Sequence, residues 1–163
     1  MTSAWDELQA RKPQPTTTVP LAQDPTAYRA AETEVEDARR ALHDAQRRGA
    51  DPGPFQARVD EAEKALEEQP ATVFTIKAIT PSRWDELVAT YPPTAEQRKL
   101  DYQWNPAGFR PALLAAAVEP EFTSAQWQTL ADTGKVAPGE LDTLFAEAVR
   151  ASNRHPRVDV GKG

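Results

Sequence analysis

The chain has 163 residues, a net charge of −6, 15 prolines and no cysteine. The length suits one domain, or one domain with an appendage. The missing cysteine excludes disulfides, thiolate metal sites and cysteine nucleophiles, and an acidic chain with no Lys/Arg block argues against a nucleic-acid binder.

Residues 1–23 contain Arg11-Lys12-Pro13-Gln14-Pro15-Thr16-Thr17-Thr18-Val19-Pro20, a Pro/Thr-rich run read as a flexible linker. Trp5 and Leu8 stand at i, i+3, the spacing of one helical turn that docks on a partner; the alternative is a loose terminus. Met1 to Glu7 has neither the basic nor the apolar region of a secretory signal.

Asp24-Pro25 supplies an N-cap and an N1 proline. Tyr28, Ala31, Val35, Ala38, Leu42 and Ala45 follow at alternating spacings of three and four, an Ala-rich seam. Gly49 to Pro54 interrupts it, and Phe55, Val59, Ala62 and Leu66 resume the period. Residues 24–69 are therefore expected to form an antiparallel, coiled-coil-like αα-hairpin. This segment carries 12 acidic and 7 basic residues, so most of the chain's negative charge belongs to it.

Val73 to Ile79 is β-branched and alternates Phe74, Ile76 and Ala78 against Thr75 and Lys77. The pattern predicts one short strand or extended segment. A strand needs a ladder partner, either Lys99 to Trp104 or another copy of the chain.

Residues 72–153 then read as a small body of short helices joined by Pro-rich turns. Thr80-Pro81 opens one helix, with Trp84, Leu87 and Val88 on its apolar face, and Tyr91-Pro92-Pro93 ends it. Thr94-x-x-Gln97 and Thr123-x-x-Gln126 are capping-box patterns. Asn105-Pro106 opens a helix in which Pro111 predicts a kink or a later start near Arg110. Pro138 opens the last helix, with Leu141, Leu144, Phe145, Ala148 and Val149 on one face. Trp84 and Trp127 are expected in the core, and residues 154–163 as a flexible tail. The fold class expected is mostly α: a multi-helix body with one short strand, plus the hairpin.

No catalytic constellation stands out. His43 and His155 are isolated, without a partner at metal-binding spacing. Asp85-Glu86 and Glu67-Glu68 are adjacent pairs that point to different azimuths of a helix. Glycines are scattered, and no stretch reaches about 18 apolar residues. The expectation is a protein without catalytic, cofactor or metal sites, without nucleic acid and without a membrane span.

The order of elements in the second half carries a resemblance. Phe74-x-Ile76-Lys77-Ala78-Ile79 is followed by Trp84-Asp85-Glu86-Leu87, Tyr91-Pro92-Pro93-Thr94, and Asn105 with Phe109 and Leu113-Leu114. Glu119-Pro120, Trp127-x-x-Leu130 and Pro138-Gly139-Glu140-Leu141-x-x-Leu144 complete it. Over about residues 72–153 this resembles the tail assembly chaperones of actinobacterial long-tailed phages and prophages. The resemblance implies a small, helical, non-enzymatic protein in the bacterial host cytoplasm. Such a protein binds the tape-measure protein and keeps it soluble until the tail tube polymerises around it. The hairpin lies outside the resemblance, which leaves a structural minor tail or connector protein of the virion as the alternative. Phe109, Leu113, Leu114, Leu141 and Phe145 are the expected partner-binding residues, with Phe109 and Leu113 first; the competing reading places all five in the core. Self-association is a further expectation.

Overall fold

The computed structural model describes residues 3–13 and 16–153. It is mostly α, with a small three-stranded sheet. The chain divides into two compact units, residues 20–73 on one hand and residues 1–19 with 74–163 on the other.

In the first of these units, helix α2 (Pro25–Arg47) starts where the sequence spells a cap. The Asp24 carboxylate accepts the Thr26 and Ala27 N–H groups at 3.0 Å, which satisfies donors a helix end leaves free. Gly49, at φ 68°, takes the left-handed conformation that stops the helix. Helix α3 (Gly53–Glu67) follows. So short a connection can only begin α3 beside the end of α2, so the two helices run antiparallel. Val35, Ala38, Val59 and Ala62 form their buried seam, with Leu42 and Leu66 packed against it. Alanines let the backbones approach closely but bury little area each. Arg39–Glu63 at 2.6 Å and Arg58–Glu34 at 2.8 Å tie the helices together along the solvated flanks. The ends of the unit meet: the Gln23 N–H donates to the Pro70 carbonyl at 2.9 Å.

Strand β2 (Ala71–Ile76) pairs antiparallel with β3 (Val118–Glu119), Thr75 opposite Glu119 and Ile76 opposite Val118. The other neighbour of β2 is β1 (Thr17–Ala22), at the edge of the sheet. Two expectations are corrected here. The Pro/Thr run is not all linker, and Lys99 to Trp104 is not the strand's partner. Pro20 disguises β1, because proline lacks a ladder N–H; an edge strand tolerates it where a central one would not.

The larger unit is organised on α6 (Pro106–Ala117), capped by Asn105, whose side chain accepts the Ala107 N–H at 3.2 Å. Phe109, Ala112, Leu113, Leu114 and Ala117 are all buried, more than one azimuth of the helix. Such a helix sits at the centre of a body, not on its surface. It packs against α4 (Pro81–Thr90), α7 (Ser124–Asp132) and α8 (Pro138–Asn153). The short helix α5 (Ala95–Lys99) has a complete capping box between Thr94 and Gln97. α6 runs unbroken through Pro111, and the proline does not delay its start. The proline deprives only the Ala107 carbonyl of its helical donor, and Ala107 is exposed, so water can replace it.

Aromatic side chains fill this unit. Trp104 stacks on Phe109 at 4.4 Å between ring centres, and the edge of Trp84 meets both. Phe74, Phe122 and Trp127 make a second group at 5.2–5.9 Å. Trp127 is buried as expected, whereas Trp84 is half-buried, a correction: its ring meets Trp104 and Phe109 edge-on and stays partly exposed. Gly108 marks a close approach. A Cβ there would lie 2.3 Å from Cδ1 of Tyr91, so the ring would have to shift.

Ahead of this body, the segment read as a possible docking turn is a helix, α1 (Ala4–Gln9). Ser3 and Asp6 close a capping box: the Asp6 carboxylate accepts the Ser3 hydroxyl at 2.7 Å and the Ser3 N–H at 3.1 Å. These bonds hold the Asp6 carboxyl below its ordinary range. The expected flexible tail, residues 154–163, lies outside the described residues.

Candidate functional site

The five candidate residues separate. Phe109, Leu113 and Leu114 are buried in the body, at 0%, 0% and 3% exposure. Leu141 and Phe145, one turn apart on α8, are only half-buried. Helical spacing puts Leu141 with Leu144 and Phe145, but only packing decides that Leu144 enters the core while its neighbours stop at its edge.

Leu141 and Phe145 form one wall of a cavity of about 190 Å³ between α6, α7 and α8. Pro106 and Pro111 of α6 and Ala131 of α7 supply other walls. Trp127 lines the cavity too, and its indole N–H meets no acceptor among the described residues. Among the described residues Arg110 is the sole charged one that lines it. Its guanidinium lies 5.0 Å from the centre of the Phe145 ring and 2.9 Å from a carboxylate oxygen of Asp142. Both partners of that pair are half-exposed, so the bond contributes at most about 1 kcal/mol and exchanges readily.

A second, shallower cavity adjoins the first through Pro106, Arg110 and Phe145. Leu100, Tyr102 and Trp104 line it; Leu100 is 71% and Tyr102 45% exposed. Asp101 between them takes a left-handed backbone, φ 60°, which an aspartate tolerates better than most residues. The sequence does not single out this loop as a surface, because Lys99 to Trp104 reads as a strand candidate. The signal was there: two exposed-type apolar residues straight after a capped, single-turn helix.

The α6–α8 cavity, about 190 Å³, falls below the roughly 300–1,000 Å³ of small-molecule sites, whereas the adjoining one, about 450 Å³, falls within that range. Among the described residues no ionisable side chain is fully buried, and no cluster of His, Asp and Glu could hold a metal. His43 is exposed on α2, and His155 lies outside the described residues. Among the described residues no helix is long and apolar enough to cross a membrane.

Compared with protein families, curated proteins and solved structures, the chain matches none.

Proposed function

We propose that this chain is a phage tail assembly chaperone-like protein that binds the tape-measure protein in the host cytoplasm and keeps it soluble without catalysis. The observation that carries the reading is the groove: an apolar cavity with Leu141 and Phe145 left half-covered, sized for a large side chain of a partner helix. A helix-in-groove contact needs such a hole, with apolar anchors entering at i, i+3 or i+4. Long helical clients that expose apolar faces aggregate by ordinary hydrophobic association, and covering those faces is sufficient to prevent it. The client contact therefore rests on Leu141 and Phe145, with Leu114 in the cavity wall and Phe109 against Phe145.

Co-expression with a tape-measure protein tests this. The client is expected in the soluble fraction only when this protein is present. Leu141→Ser should abolish the rescue while circular dichroism stays unchanged. A client equally soluble alone, or this protein at fixed copy number in purified particles, would overturn the chaperone reading in favour of a structural tail component.

A further inference from the structure

The backbone of the small sheet fixes which groups of β1 stand free. Just beyond β2 the Lys77 N–H donates to the Ala117 carbonyl at 2.8 Å, and within it Thr75 stands opposite Glu119. The odd-numbered residues of β2 therefore turn their backbone groups to β3. Thr72, Phe74 and Ile76 turn theirs to β1, since these groups alternate sides along a strand. Just beyond β1 the Gln23 N–H donates to the Pro70 carbonyl. By the same alternation Val19 and Leu21 face β2, while Thr18, Pro20 and Ala22 face away from the sheet. Thr18 and Pro20 are exposed, and β1 is the edge strand.

A free edge is a template for another strand. This one offers the carbonyls of Thr18, Pro20 and Ala22 and the N–H groups of Thr18 and Ala22, with no donor at its centre. Its composition favours self-pairing in every other respect. Residues 16–23 carry no charge, and Thr17, Thr18, Val19 and Leu21 are β-branched or apolar. Of the features that mark a self-pairing segment of about six residues, only the absence of proline is unmet.

We propose that Pro20 keeps β1 from pairing edge to edge with β1 of a second copy. Two such strands, antiparallel about a two-fold axis, set Pro20 opposite Pro20 and Thr18 opposite Ala22 on either side. The central pair then has two carbonyls and no donor. A slip of two residues either way sets Pro20 against Thr18 or Ala22 and still strands one carbonyl. The proline costs the sheet itself nothing, because the ladder to β2 draws on the residues that face inward. This inference does not rest on the chaperone reading.

Sedimentation velocity of the full chain tests it. Pro20→Val should self-associate at least about tenfold more tightly than the wild type, because each copy gains a donor at the centre of the edge. Adding Thr18→Pro to that variant should return it to wild-type behaviour, since this removes another outward N–H and leaves the ladder to β2 intact. Pro20→Thr is the second variant, should Pro20→Val fail to fold. In the wild type, the Thr18 and Ala22 amides should exchange with solvent at least about tenfold faster than those of Val19 and Leu21. Pro20 variants that gain no association would overturn the proposal. So would a gain that survives Thr18→Pro, or wild-type Thr18 and Ala22 amides as protected as their neighbours.

Discussion

The hairpin unit and the helical body solve the same problem, burying one face of each helix, with opposite materials. The hairpin uses small residues: Val35, Ala38, Val59 and Ala62 form its seam, and ion pairs lace its flanks. The body uses rings and large aliphatics: Trp127, Phe109, Ile76, Leu113 and Leu144 are its largest fully buried side chains. A thin seam depends on closeness of fit and on electrostatics at its edges. A thick aromatic core depends on volume, and it can leave a hole at its margin without collapsing. The groove is such a hole.

The tryptophans make the comparison measurable. All four lie outside residues 20–73, so tryptophan emission reports the body while far-ultraviolet dichroism reports both units. The largest expected effect is Phe109→Ala. The ring touches Trp84, Trp104 and Phe145, and its loss should cost about 3–5 kcal/mol. Urea melts followed by emission should shift strongly, with the helical signal of the hairpin surviving past that transition. A single coincident transition for both probes would show that the two regions unfold together and would break the comparison.

A smaller effect is expected in the hairpin. Ala38 is completely buried, and Ala38→Leu should cost about 1–3 kcal/mol by forcing the helices apart. Dichroism should register the change while tryptophan emission does not. An unchanged melt would mean the seam is looser than its small residues suggest.

The smallest effect comes from the flanks. The Arg58 guanidinium beside Glu34 holds the carboxyl below its ordinary range. A depressed pKa contributes stability above the unfolded value, and the contribution is lost as pH falls through the folded one. Both groups are solvent-exposed, so the effect is slight. The difference in melting midpoint between wild type and Glu34→Gln should be present at neutral pH and vanish well below the ordinary carboxylate range of about 4. A difference that persists in acid would assign the loss to packing instead of charge.

Local chemistry in this chain was legible residue by residue. Asp24, Thr80, Thr94, Asn105 and Thr123 each cap the helix their identity announces. Gly49 and Gly134 take the positive φ that ends one. What escaped was context. Pro20 reads as a breaker until its strand is known to lie at an edge. Pro111 reads as a late start near Arg110, yet α6 begins at Pro106. Phe109 and Leu113 read as equal to Leu141 and Phe145 because helical period assigns a face but not a layer. One clue was available. The run Pro106 to Ala117 is apolar nearly all round, the mark of a central helix, and that should have placed Phe109 inside and turned attention to α8.

The hydrogen bond from Gln23 to Pro70 has a further consequence. The hairpin leaves and rejoins the chain at a single point, so its length is a free variable. Adding one heptad to each helix would extend the arm by about 10 Å and leave the junction untouched. Because loop-closure entropy grows only logarithmically, even a doubling of the inserted length costs about 0.6 kcal/mol. The hairpin's length can therefore vary, heptad by heptad, without a change of residue at its base.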